Sequence, residues 1–131
     1  MPAPFKPSGY SAVSPYLVVK EAGKVLDFLK NTFEARELRR IDKPDGTIIH
    51  AEVQIGDSVV MIGSAGLDWA AAPSHVHVYV EDVDVCYSRA IDFGGVSVQA
   101  PESRPGDPNR RGGVKDPTGN TWWIATLIEH S

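Results

Sequence analysis

The chain has 131 residues, 42% apolar and 23% charged, enough for one domain with a buried core and too apolar for a disordered segment. Thirteen Lys and Arg against seventeen Asp and Glu leave a net charge of −4, which argues against a dedicated nucleic-acid or anionic-membrane binder, because either needs a basic face. The single cysteine, Cys86, has no partner for an intramolecular disulfide. Met1 to Pro7 lacks the apolar stretch of a signal peptide, and no apolar run approaches the ~20 residues that span a bilayer. A cytoplasmic protein is the expectation.

Residues 1 to about 12 are rich in Pro, Ser and Gly and read as a loose arm. Tyr16 to Val19 reads as a short strand. From Glu21 to Thr32, with Phe33 just beyond, the apolar Val25, Leu26, Phe28, Leu29 and Phe33 recur at helical spacing. Arg36 to Ile41 is a possible strand, and Lys43-Pro44-Asp45-Gly46 a strong turn. Ile48 to Ile55 alternates, Gly56-Asp57 punctuates, and Ser58 to Ile62 is strand-like, which suits a hairpin with a type II′ turn. Ser64 to Ser74 is small, Ala-rich and irregular, with Trp69 its only large aromatic. His75 to Val80 is a period-2 strand. Asp82 caps a helix to about Phe93, and Gly94-Gly95 ends it. Val96 to Val98 is a strand, and Ala100 to Gly113 reads as a long Pro/Gly/Arg loop. Val114-Lys115 leads into the turn Asp116-Pro117-Thr118-Gly119, and Thr121 to Leu127 is the last strand.

Written as elements this is βαβββ, linker, βαβββ. Val18-Val19-Lys20-Glu21 aligns with Tyr79-Val80-Glu81-Asp82, and Gly56-Asp57-Ser58-Val59-Val60 with Gly119-Asn120-Thr121-Trp122-Trp123. A near-constant offset argues for duplication of one unit, too small to be stable alone. The fold class is therefore α+β: two βαβββ modules, their curved mixed sheets around a cavity. The chain is one domain over 1–131, with module 1 at about 13–63, a linker at 64–74 and module 2 at about 75–128.

The hairpin assigns faces. If Gly56-Asp57 form the turn, Ile55 pairs with Ser58, Gln54 with Val59, Glu52 with Met61 and His50 with Gly63, and paired residues share a side. Ala51, Val53, Ile55, Val60 and Ile62 then back onto helices, while His50, Glu52, Gln54, Val59, Met61 and Gly63 form a mixed face suited to a ligand. A slip of one residue would exchange the two faces. In the strand at 75–80, Val76, Val78 and Val80 form the apolar side, and His75, His77 and Tyr79 the other. His50, Glu52, His75, His77 and Tyr79 are expected to converge on one concave surface.

Several stretches carry a family resemblance: Val25-Leu26-Asp27-Phe28, Asp45 to Glu52, Val80-Glu81-Asp82-Val83-Asp84 and, most specific, Asp116-Pro117-Thr118-Gly119-Asn120-Thr121-Trp122-Trp123-Ile124-Ala125-Thr126. From about Ser14 to Leu127 the chain resembles the vicinal-oxygen-chelate superfamily (glyoxalase, bleomycin-resistance and extradiol-dioxygenase proteins), in its uncharacterised glyoxalase-like branch. The resemblance implies paired βαβββ modules around a cavity, often completed in a homodimer. In the metal enzymes of that superfamily, the ligand positions correspond to Ser14, Met61, His75 and Trp123. Met61 and Trp123 stand where carboxylates are used, and neither binds a hard divalent cation. The usual metal site is absent as written. A replacement set would be His50, Glu52, His75 and His77, since two histidines and a carboxylate suit a divalent metal. The plainer reading has His50 and Glu52 bonded to each other or to water.

Of the adjacent Trp122 and Trp123, one is core and the other, Trp123, is a candidate cavity floor for stacking planar ligands. Tyr16 and Tyr79 offer hydroxyls. Arg104, Arg110 and Arg111 lie on or beside the long loop and are solvated arginines or a clamp for an anionic group. Cys86 reads as a small buried hydrophobe.

The reading is a protein that binds a small, partly aromatic or planar molecule, with no cofactor, no nucleic-acid or membrane partner, and a homodimeric state. Its expected ligand-binding residues are Tyr16, His50, Glu52, Met61, His75, His77, Tyr79, Arg111 and Trp123. One alternative is a metal-dependent lyase, isomerase or dioxygenase-like enzyme. Another is a metal-free acid–base enzyme with His50 and Glu52 as its catalytic pair.

Overall fold

The computed structural model describes residues 4–66 and 69–128; Met1 to Ala3 of the expected arm and Leu67-Asp68 of the expected linker lie outside the described residues. In chain order the elements are β1 (Tyr16–Val19), α1 (Ala22–Phe33), β2 (Arg36–Asp42), β3 (Ile48–Ile55), β4 (Ser58–Ser64), β5 (His75–Tyr79), α2 (Val83–Asp92), β6 (Val96–Ser103), β7 (Asn109–Lys115) and β8 (Thr121–Leu127). The two sheets have the same internal order, β1-β4-β3-β2 and β5-β8-β7-β6. In each, the first pair is parallel and the others antiparallel. This is the two-module α+β architecture expected from the sequence.

The hairpin register is the one inferred from its turn, with Ile55 opposite Ser58, Glu52 opposite Met61 and His50 opposite Gly63. Gly56 adopts φ +56°, the left-handed start that a type II′ turn requires and that glycine supplies without strain. Ala51, Val53, Ile55, Val60 and Ile62 are buried in the common core, as are Val25, Leu26, Phe28 and Leu29 of α1. The alternation fails at the start of β3. Ile48 is buried and Ile49 exposed, because the β2–β3 register shifts there, between Ile41 and Asp42. This irregularity turns Ile49 toward the side that carries His50.

The helices end differently. Asp82 caps α2, its side chain accepting from Asp84 N (3.1 Å) and Val85 N (3.2 Å), a device worth about 1 kcal/mol. No side-chain cap starts α1, which stops at Glu34 in a left-handed turn (φ 55°), while Ala35 N donates to Leu29 O at 3.3 Å. The two modules share one core. Phe33 at the end of α1 packs on Trp122 of β8, their ring centroids 5.3 Å apart, and Cys86 Sγ of α2 donates to Thr32 O of α1. Each sheet's polar face is on the opposite side from this core.

The long loop expected at 100–113 is mostly strand: β6 continues to Ser103, and β7 begins at Asn109. Pro101 is accommodated because the β6–β7 register shifts between Gln99 and Glu102. Gly112 and Gly113 are strand residues at points of close approach. A Cβ on Gly112 would lie 3.2 Å from Pro101, and one on Gly113 2.7 Å from the Trp123 ring. Those glycines and the proline gave the segment its loop-like composition.

The motif with the strongest family character is a structural lock. Asp116 Oδ1 accepts from Thr118 N (2.9 Å) and Asn120 N (3.1 Å), and Oδ2 from Asn120 Nδ2 (3.0 Å) and the Trp122 indole (2.9 Å). The buried carboxylate ties the last turn to the core tryptophan and satisfies donors that would otherwise be stranded away from water. Among the described residues no helix is long and apolar enough to cross a membrane.

Candidate functional site

On the polar face of the first sheet, β1 and β3 bring Tyr16, His50 and Glu52 into one hydrogen-bonded line. His50 Nε2 lies 2.7 Å from Glu52 Oε2, and His50 Nδ1 lies 3.2 Å from Tyr16 Oη. Alternation along β3 puts positions 50 and 52 on one side, and the parallel β1–β4 pairing carries Tyr16 to the same side. The Tyr16 ring lies over Gly63, where a Cβ would come within 2.6 Å of its hydroxyl. Tyr10 completes the line from the arm, donating from Oη to Glu52 Oε1 at 2.5 Å.

Solvent exposure falls along this line, from 48% at Tyr16 to 17% and 8% for the side chains of His50 and Glu52. Burial pushes the Glu52 carboxyl upward, but hydrogen bonds from Tyr10 and His50, with Arg39 across on β2, bring it below the ordinary carboxylate range. The bond to Glu52, helped by burial, raises the Tyr10 phenol. An ionised Glu52 only accepts, so Nε2–H of His50 donates to it, which leaves Nδ1 to face the Tyr16 hydroxyl.

Beside Tyr16 lies a cavity of about 200 Å³ lined by Tyr16, Val18, Ile49, Gly63, Ser64 and Trp69. Met61 is half-buried opposite both Tyr16 and Glu52.

The second sheet holds a different set. Trp123 lies edge to edge with His75, ring planes 9° apart and centroids 6.3 Å apart, and its indole donates to His75 Nδ1 at 3.1 Å. His77 packs edgewise on Tyr79 at 4.9 Å. Arg111 donates to Asp107 Oδ2 (2.6 Å) and, at a longer 3.4 Å, to His77 Nε2. Partial burial and then the Arg111 charge hold His77 below the usual histidine range, against a smaller opposing pull from Asp107. Asn109 Nδ2 donates to Tyr79 Oη at 3.2 Å. A cleft of about 280 Å³ runs from β5 to the hairpin turn at Ile55 to Ser58, lined by Val60, Val76, Val78 and Trp122 of the apolar side as well as by His77 and Tyr79.

The structure thus groups Tyr16, His50 and Glu52, with Met61 opposite, on one sheet, and His75, His77, Tyr79, Arg111 and Trp123 on the other. Among the described residues no hydrogen bond or aromatic contact joins the two groups. Arg110 is committed to a two-pronged ion pair with Asp84 of α2, both bonds at 2.9 Å, and Arg104 pairs with Glu102. Cys86 is buried, its thiol pushed up to about 11 by desolvation. Sequence reading missed Tyr10 because a loop composition hides a side chain that folds back over a sheet. Ile49 and Trp69 were also missed as lining residues, the first behind the β3 irregularity.

Among the described residues, the candidate metal donors are engaged with other side chains. Both nitrogens of His50 and both oxygens of Glu52 already serve one another and the two tyrosines. His75 Nδ1 and His77 Nε2 accept from Trp123 and Arg111, while Met61 and Trp123 offer no hard donor. Among the described residues no three His, Cys, Asp or Glu side chains form a metal-holding group.

Comparison with known proteins agrees with this architecture. An uncharacterised protein of Mycobacterium bovis is 36% identical over 129 residues, covering 89% of this chain and 84% of its own length. TioX from Micromonospora sp. ML1 superposes with a TM-score of 0.76 at 27% identity, covering 89% of this chain and 98% of TioX. The fosfomycin resistance protein FosX from Listeria monocytogenes, solved with Mn(II) and sulfate, shares the fold with a TM-score of 0.69 at 18% identity, covering 89% and 90% of the two chains. The superfamily's sequence profile matches residues 11–124, nearly the whole of both modules, and the chain belongs to the Glyoxalase/Bleomycin resistance protein/Dioxygenase superfamily.

Proposed function

We propose that the protein binds a small, partly aromatic or planar molecule on the polar faces of its two sheets, without a resident divalent metal. The observation that carries this reading is a pair of aromatic rings set close against glycines on those faces, Tyr16 at Gly63 and Trp123 at Gly113. Neither ring is needed by the core, which Trp122 and Phe33 already fill from the other side. Flat, partly exposed rings next to polar groups suit stacking with an oriented hydrogen bond.

The same proposal makes the protein a homodimer. Each polar face is half of a cavity, and a second copy would set the Tyr16–His50–Glu52 face of one chain against the His75–Trp123 face of the other. The proposed location is the cytoplasm, where the lone Cys86 remains a thiol.

Titration of tryptophan emission with planar antibiotics and 2-oxo compounds tests the reading. At least one compound is expected to give a saturable change that Trp123→Phe diminishes. A panel without any saturable response, or a signal untouched by Trp123→Phe, removes the stacking role. Elemental analysis should find far less than one metal per chain; near-stoichiometric metal contradicts the metal-free part.

A second reading, a metal-free acid–base enzyme, is favoured by the 2.7 Å bond that aligns His50 with Glu52. The metal-dependent lyase, isomerase or dioxygenase reading draws no support from donors engaged as these are.

A further inference from the structure

The line Tyr10–Glu52–His50–Tyr16 ends at a hydroxyl that borders an apolar cavity. We propose that it is a proton relay whose outer group, Tyr16 Oη, takes a proton from a neutral, weakly acidic aromatic ligand of the phenol class held between Val18, Ile49 and Trp69. This rests on the reading of the inner face as a ligand site and assigns to it a ligand chemistry and a proton route.

The order of the bonds gives the relay its direction. Tyr10 O–H and His50 Nε2–H both donate to Glu52, so the carboxylate is the fixed inner end. The remaining ring nitrogen, Nδ1, faces Tyr16 Oη at 3.2 Å, long for a hydroxyl donor, as proton-transfer contacts often are before a ligand tightens them. When the ligand O–H bond breaks, its proton goes to Tyr16 Oη while the original Tyr16 proton passes to His50 Nδ1. The products are a bound phenolate and an imidazolium whose Nε2–H faces Glu52. No other reactant is needed, and the reverse transfer restores the starting state.

The cavity argues for the ligand class. Its volume of about 200 Å³ accommodates one substituted ring, since a space of about 150 Å³ takes up benzene. Among the described residues its lining is Tyr16, Val18, Ile49, Gly63, Ser64 and Trp69, with no Lys, Arg or His. A carboxylate or phosphate would therefore enter without a countercharge, at a heavy desolvation cost. A neutral acid enters freely and becomes an anion only when its proton moves to Tyr16 and that of Tyr16 moves to His50. The titratable and charged groups facing His50 and its partners are Tyr16 from β1, Glu52 on its own strand, Arg39 from β2 and Tyr10 from the arm. From β4 the neighbours are the uncharged Met61 and Gly63. Tyr10 and Glu52 act through His50 and are positioning residues.

The test uses para-nitrophenol, whose phenolate is coloured, with the full-length protein. Binding is followed by tryptophan emission and ionisation by the phenolate band. Saturable binding is expected, with the phenolate-to-phenol ratio of the bound probe ~10-fold above that of the free probe at the same pH, equivalent to about 1.4 kcal/mol. In the probe that remains bound, His50→Gln should lose the extra ionisation, and Tyr16→Phe should lose it as well. Tyr10→Phe should reduce it without changing the melting temperature by more than a few degrees. Bound probe with unshifted ionisation overturns the relay while leaving the ligand-site reading intact. Equal ionisation in parent and His50→Gln does the same. No saturable binding of para-nitrophenol overturns the proposed ligand class, and the wider panel decides the ligand-site reading separately.

Discussion

Corresponding positions of the two sheets carry different chemistry on the same scaffold. Tyr16 opposite Met61 in the first sheet corresponds to His77 opposite Trp123 in the second. Glu52 corresponds to Gly113, and His50, opposite Gly63, corresponds to Arg111, opposite Ala125. Where the first module has a carboxylate and an imidazole, the second has a glycine that makes room for an indole and an arginine held by Asp107. The helix-facing sides differ far less, since both are largely apolar and feed one core. The core side determines the fold, and the polar side is where the two modules have been free to diverge.

The neighbouring tryptophans give the largest test of that division. Trp122→Ala should cost about 3–5 kcal/mol, because a fully buried indole leaves a cavity and strands Asp116. Trp123→Phe should cost less than about 1 kcal/mol and act mainly on ligand-induced emission. Chemical denaturation of both variants checks the contrast, and equal losses would erase the distinction between the faces.

Asp116→Ala comes next, at about 3 kcal/mol, since several donors lose their acceptor at once. A loss under about 1 kcal/mol would show that the motif is not the lock described. Gly113→Ala should cost about 1–3 kcal/mol by displacing the Trp123 ring from behind. Gly63→Ala should cost less than about 1 kcal/mol, because the colliding atoms belong to the free end of a half-exposed tyrosine. It should nevertheless separate Tyr16 from His50 and weaken any ligand response.

The smallest effect is a pH dependence. Glu52 has a lower pKa in the folded chain than in the unfolded one, so the folded state binds its proton less readily. Its stabilising contribution is complete above the ordinary glutamate range and is lost as pH falls through the lower folded value. Melting temperatures should show this acid loss in the parent and less of it in Glu52→Gln. Identical acid profiles would mean that the bonds from Tyr10 and His50 do not hold the carboxylate ionised.

Much of the fold was legible because its signals are local and periodic. Gly56-Asp57 set the hairpin register, and the register set the faces of β3 and β4. Asp82 marked the start of α2. The extent of β6 and β7 was not legible, because Pro101, Gly112 and Gly113 have the composition of a loop and occupy strands for reasons of tight packing. The pairing of His50 with Glu52 followed from alternation. Tyr10 did not, because a residue in an irregular arm has no periodicity from which to derive its contact 42 positions away. How the two polar faces meet depends on module pairing, to which neither strand period nor turn chemistry is sensitive. The stretch at 116–126 was legible as a turn and a family resemblance, but not the bond that joins Asp116 to Trp122 within it.

Residue-resolved NMR during titration with a ligand that binds tests the central claim most directly. The imidazole nitrogens of His50 and the amides of Ile49 and Gly63 are expected to shift with saturation, while Val25 and Leu29 on the buried side of α1 stay in place. Shifts gathered instead around Thr32, Cys86 and Arg89, in the cleft between the two helices, would contradict it.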